Sequence, residues 1–261
     1  MPRRLYASSM SGEVMRLGEL TWEEAGRYLK TADFVILPTG SFEQHGPHLP
    51  LLTDSIRAEA LAEELARKAE ERGLRVLLLP VLTYGVSEHH MNFPGTISID
   101  SLTYISLIED IGRSLARHGV RRLVLLNFHG GNIAPLQVAV ERIRVRYGLR
   151  TYLVHWTSYA RDAILEVLKP SGSWGHACEH ETSMIMLFRP ELVRKDRIRV
   201  PKVRKRADVK AFYYFDEITD TGGLGDPTKA SAEKAKVIVE RATERIVEVL
   251  ESIKELEISD A

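Results

Sequence analysis

Arg122-Leu123-Val124-Leu125-Leu126-Asn127-Phe128-His129-Gly130-Gly131-Asn132 is an apolar run that breaks into a polar, glycine-rich turn. It reads as a strand buried on both faces, of the kind found in parallel sheets, with the turn opening a helix. Three further runs share its character: Phe34 to Pro38, Arg75 to Thr83 and Thr151 to His155. Between the runs, Asp54 to Arg72, Ser101 to His118 and Ile133 to Tyr147 carry apolar residues three and four apart. Each stops at a glycine, Gly73, Gly119 or Gly148. Another helix is expected from about Glu179 to Phe188, closed by Pro190, and an amphipathic one from about Thr228 to Ile258. Strands alternating with helices predict an α/β fold with a mostly parallel sheet covered by helices. With no linker, repeat or low-complexity tract, residues 1–261 are expected to form a single domain.

Charge and composition narrow the function. The chain carries 36 basic and 36 acidic side chains, which argues against a nucleic-acid or membrane-surface partner, because phosphate binding needs a basic excess. At 44% hydrophobic and 28% charged, it is neither disordered nor fibrous. Its one cysteine, Cys178, forms no internal disulfide and points to a cytoplasmic location, and any metal must be held by His and carboxylates. Met1 to Leu20 lacks an apolar targeting core, and no run is long enough to span a bilayer. Arg194 to Arg206 is a basic extended loop with eight basic residues in thirteen. Arg197, Arg199, Lys202 and Arg204 suit a solvated edge, a subunit contact or an anion clamp.

Seven of the nine histidines fall in four short segments rich in carboxylates, amides or glycines. Ser41 to Pro50 follows the first strand, and an extended Glu43-x-His45 turns both side chains to one side. Asp54 reads as the N-cap of the next helix. Glu88 to Thr96 brings His89 and His90, and Asn127 to Asn132 brings His129. Trp174 to Ser183 packs His176, Glu179, His180 and Glu181 together. Glu179 and Glu181 do not share a helix face and should have different tasks. Side chains at the carboxyl ends of parallel strands converge in one crevice, so Glu43, His45 and His129 can meet despite their separation. This favours a metal site, and nitrogen and oxygen donors suit Zn, Mn or Fe.

Glu43-Gln44-His45-Gly46-Pro47-His48-Leu49-Pro50-Leu51, Asp54, Phe93-Pro94-Gly95-Thr96, His129-Gly130-Gly131-Asn132, Glu181-Thr182-Ser183 and Gly225-Asp226-Pro227-Thr228 together resemble the creatininase, or creatinine amidohydrolase, family. The resemblance implies a three-layer α/β/α sandwich, two divalent metal ions per subunit, hydrolysis of a C–N amide-type bond and a homohexamer. Glu43 and His129 would bind one metal, His45 the other, and Asp54 would bridge them. Two positions depart from the family's pattern. Gly131 stands where creatinine-hydrolysing members have a Glu ligand, and Glu181 is the expected replacement. His89 stands where a Glu is expected.

The implied chemistry is attack by a metal-activated water on a small-molecule amide. His176 or Glu179 would protonate the departing nitrogen. His90, Gly130, Gly131 and Trp174 would line the substrate pocket, although Trp174 also suits a packed aromatic. Creatinine or another small cyclic or linear amide is the expected substrate. The alternatives are a formamide deformylase or small peptidase of the same family, and a non-catalytic anion-binding α/β protein.

Overall fold

A computed structural model describes residues 14–168, 174–204 and 211–259, with the side chains of 257–259 excepted. Lys205 and Arg206 of the basic loop, and residues 1–13 of the amino-terminal stretch, lie outside the described residues. Four strands, β1 (Phe34–Thr39), β2 (Val76–Leu78), β3 (Arg122–Asn127) and β4 (Arg150–His155), form a parallel sheet in the order β2-β1-β3-β4. The strand expected over Arg75 to Thr83 is cut to three residues. Pro80 has no N–H to give a ladder, and beyond it the chain holds β1 only through bonds such as Leu82 N–H to Pro38 O at 2.9 Å.

Alternation along β1 sets the layers. Phe34 and Ile36 join one core with α2 (Thr53–Glu71), α5 (Trp156–Leu168), α6 (Glu179–Phe188) and α8 (Ala232–Ser259). Val35 and Leu37 join another with α1 (Trp22–Thr31), α3 (Ser101–Arg117) and α4 (Ile133–Tyr147). The architecture is therefore an α/β/α sandwich. Each fully buried Leu or Phe of these cores contributes on the order of 1.5–3 kcal/mol of transfer free energy.

Periodicity gave no sign of α1 or α5. Helix α1 is fixed at its start by a reciprocal cap: Thr21 N–H donates to Glu24 Oε2 at 2.8 Å and Glu24 N–H to Thr21 Oγ1 at 3.4 Å. Helix α5 follows β4 without an intervening residue. The short α7 (Phe215–Ile218) completes the helices. The chain steps from β1 to β2 on one side and then crosses to β3 on the other, so the switch point lies at the carboxyl ends of β1 and β3.

Candidate metal centre

Asn127, the last residue of β3, ties that end together. Its Oδ1 accepts from Thr39 Oγ1 of β1 at 3.0 Å and from His129 N–H at 3.2 Å, while its Nδ2 donates to His129 O at 2.7 Å. Just past β1, a Cβ on Gly40 would lie 2.5 Å from Ser55 Oγ, so only glycine lets the strand end pass this close to the start of α2. That approach brings Glu43, His45 and Asp54 together. Asp54 is not the cap the sequence suggested: Leu52 is the N-cap and makes no side-chain cap bond. From the first helical turn, the Asp54 carboxylate instead accepts from Ser41 Oγ at 2.9 Å.

Three imidazoles are pinned alike. His129 Nε2–H donates to Val86 O at 2.9 Å, His45 Nδ1–H to Glu43 O at 3.2 Å, and His176 Nε2–H to Gln44 O at 2.7 Å. Because a carbonyl only accepts, each bond fixes where the proton sits and turns the other ring nitrogen inward. His129 Nδ1 then lies 3.2 Å from both Glu43 Oε1 and Asp54 Oδ2. His45 Nε2 lies 3.3 Å from Asp54 Oδ1, and His176 Nδ1 lies 3.9 Å from Glu43 Oε1. His90 is oriented the opposite way. Gln44 Nε2–H donates to its Nδ1 at 2.8 Å, so its Nε2–H faces Glu43 Oε1 at 3.3 Å.

Three buried carboxylates, Glu43, Asp54 and Glu181, surround these nitrogens. The described residues answer them with one guanidinium: Arg57 Nη1 lies 2.7 Å from both Asp54 Oδ1 and Glu181 Oε1. The Arg57 head sits over the Trp156 ring at 5.1 Å. Glu181 Oε2 accepts from Ala177 N–H at 2.6 Å, and Ala177 takes the left-handed φ of 51° that few non-glycine residues adopt. Burial alone would lower the His45 pKa, but Asp54, Glu181 and Glu43 outweigh it and raise it to about 9. The same contest, against Glu43 and Asp54, holds His129 well above its ordinary value. Burial opposes ionisation of Asp54, yet His45, His129 and Arg57 keep its carboxyl well below the usual range.

This donor set fits divalent cations. Glu43 Oε1 and His45 Nε2 are buried and make no hydrogen bond, and either the imidazoles must hold extra protons or a cation must stand between them and the carboxylates. Donor atoms lie within 4.8 Å of one another in three overlapping groups: Glu43, His45 and His176; Glu43, His89 and His129; and His45, Asp54 and Glu181.

The other expected site residues fall as follows. The side chain of Glu179 is ion-paired to Lys234 of α8, and none of the three donor groups includes it. Trp174 is 39% exposed and lies against His180, with ring centroids 5.3 Å apart. Gly130 is exposed. A Cβ on Gly131 would meet Val86 O at 2.0 Å and His129 Nε2 at 2.5 Å, so the close approach demands glycine. Cys178 is buried, with burial pushing its thiol up to about 12. In the basic loop, Arg204 Nη1 donates to Asp216 O at 2.9 Å and Val203 bridges to Thr219, so this part of the loop braces the wall that carries Phe215. The Phe215 ring lies 4.0 Å from that of His90 and 5.1 Å from that of His176.

Sequence reading missed Arg57, Ser87, Gln44 and Phe215. Arg57 stands one helical turn after Asp54, a spacing that pairs side chains and was available as a signal. Ser87 Oγ–H donates to Glu43 Oε2 at 2.6 Å, and nothing in its local sequence announces that contact.

The creatininase family model, described as creatinine amidohydrolase, matches residues 18–250. The chain is 34% identical over 238 residues to a mycofactocin precursor peptide peptidase of Mycobacterium ulcerans, covering 88% of this chain and 90% of the relative. It is 32% identical over 255 residues to a creatinine amidohydrolase of Pseudomonas putida, covering 90% and 95%. A solved structure of a manganese creatininase superimposes with a TM-score of 0.82 at 28% identity, covering 92% of this chain and 98% of that one.

Proposed function

The chain belongs to the creatininase family of hydrolases, and from that membership we propose that it is a metal-dependent hydrolase of a C–N amide bond in a small molecule or short peptide. The observation that carries this reading is the common pinning of His45, His129 and His176, each with its second ring nitrogen turned toward buried carboxylates. Glu43, Asp54 and His129 would hold one ion and His45, Asp54 and Glu181 a second. Zn and Mn are the favoured metals, consistent with manganese and zinc forms among the similar structures. Ions bound there polarise an amide carbonyl and make water nucleophilic near neutral pH.

The chain's own groups supply the rest. Ser87 Oγ–H and His90 Nε2–H orient the Glu43 carboxylate. His176 is the proton carrier. Burial, reinforced by His45, lowers its pKa and keeps it neutral, so its inward Nδ1 can take a proton from the attacking water and deliver it to the departing nitrogen. His176 is preferred to Glu179 because the Glu179 carboxylate is already engaged by Lys234. Phe215, against the His90 and His176 rings, would restrict water access beside these groups, and the glycine turn at Gly130 and Gly131 would leave room for substrate.

The 34% identity to a peptidase favours a second substrate class, a linear peptide, beside the cyclic and small linear amides. Creatinine, an N-formyl amine and short peptides, each assayed before and after dialysis against a strong chelator, separate these substrates. Hydrolysis that persists without metal contradicts the proposal. We also propose one catalytic domain, a cytoplasmic location, which the lone buried thiol supports, and a homohexamer. Exposed Trp22, Leu102 and Val145 are apolar side chains that such an assembly could cover, and light scattering tests its mass. Among the described residues, no helix is long and apolar enough to cross a membrane.

A further inference from the structure

We propose that His89 donates a ring nitrogen to the cation held by Glu43 and His129, an inference that rests on the metal-centre reading above. A nitrogen of His89, an oxygen of Glu43 and a nitrogen of His129 lie within 4.8 Å of one another, as the donors of one ion must. Each neighbouring histidine has one ring nitrogen engaged by a hydrogen bond: His129, His45 and His176 to backbone carbonyls and His90 to Gln44. The His89 ring makes no such bond among the described residues. It lies parallel to the His129 ring, with centroids 5.6 Å apart and planes 7° apart, and beside Phe215 at 5.5 Å.

Gly131 explains how the ring comes to be there. A Cβ at that position would approach His89 Cε1 to 3.0 Å while colliding with His129 Nε2 and Val86 O, so a side chain at 131 and the His89 ring contend for the same space. The two positions that depart from the pattern of creatinine-hydrolysing members are thus neighbours, and the glycine at 131 leaves room for the imidazole beside it. An imidazole with no hydrogen bond among the described residues, beside a carboxylate with an unpartnered oxygen, is a ready nitrogen donor.

The test uses the full chain, stripped by chelator and titrated with Zn(II) against a chromogenic competitor, with Co(II) absorption as a second readout. His89→Phe keeps the ring contacts and removes both nitrogens, and His89→Glu supplies an oxygen donor instead. Thermal melting of each stripped variant establishes that it is folded. His89→Phe is expected to weaken one binding step about 10-fold or more and to change the Co(II) spectrum, while His89→Glu recovers most of the affinity. His89→Phe with both steps within about twofold of wild type and an unaltered spectrum overturns the proposal while leaving the metal centre intact. A wild-type chain that takes up no Zn(II) overturns the metal-centre reading itself.

Discussion

Glu109 and Glu43 are both buried carboxylates, 5% and 0% exposed, in opposite circumstances. Between α3 and α4, Glu109 receives Arg142 Nε–H at 2.7 Å on one oxygen and Arg146 Nη1–H at 2.6 Å on the other. The hydrogen bond from Arg142, outweighing burial, lowers its pKa. At the strand ends, Glu43 has a serine hydroxyl on Oε2, while Oε1 is ringed by His90, His129 and His176 and makes no hydrogen bond. A carboxylate that serves the fold brings its counter-cation on the same chain. Glu43 has no such partner: around its Oε1 stand imidazoles, and its charge is balanced either by protons on those rings or by a cation from solution.

The strongest break of this contrast is His129→Ala. With its nitrogen goes the Glu43 site, and hydrolysis should fall by on the order of 10³-fold or more, since several kcal/mol of charge stabilisation leave with the ion. Unchanged turnover would place His129 with Glu109, as a residue of the fold. His176→Ala should lower kcat by about 10²- to 10⁴-fold with bound metal unchanged, which separates proton transfer from ion binding. Loss of metal in that variant would make His176 a ligand instead. Ser87→Ala removes the bond to Glu43 Oε2 and the hydroxyl's 3.4 Å contact with His129 Nε2, and should weaken metal binding by about 10- to 100-fold, read by chelator competition.

Protons report on the same contrast. In the metal-free protein His45, with its pKa near about 9, and His129 hold protons at pH 7.5, so zinc binding should expel about two protons, measured calorimetrically in buffers of different ionisation enthalpy. Binding without proton release would contradict the pinned arrangement. The raised pKa of His45 also stabilises the metal-free fold fully below pH 6.5, the ordinary histidine value, and this stabilisation is lost as pH rises through about 9. The metal-free melting temperature should therefore decline across that interval. The smallest functional effect is expected at the other carboxylate: Glu109→Gln should lower thermal stability while leaving metal content and turnover at wild-type levels.

The sheet was legible because Leu123 to Leu126 and Phe34 to Leu37 are buried on both faces, which forces near-continuous apolar runs. Pro80 showed where β2 would fail, yet the expected strand ran through it, because the chain beyond remains extended and apolar without a full ladder. Helix α1 was missed although Thr21-x-x-Glu24 announced its cap. At the site, the residues read from sequence were those in dense motifs. Arg57 and Ser87 act through contacts across 124 and 44 residues, to Glu181 and Glu43, and no local pattern carries such pairings. Asp54 shows a different failure. A carboxylate at the start of a helix is ordinarily a cap, and only the approach of β1 through Gly40 turns this one into the crevice.

The most direct test is elemental analysis of purified wild type, Asp54→Ala and Glu109→Gln after equilibration with Zn(II) and removal of excess metal. The account predicts about two equivalents per chain in wild type and in Glu109→Gln, and a clear loss in Asp54→Ala, whose carboxylate faces both His45 and His129. Full occupancy in Asp54→Ala, or no bound metal in wild type, would contradict it.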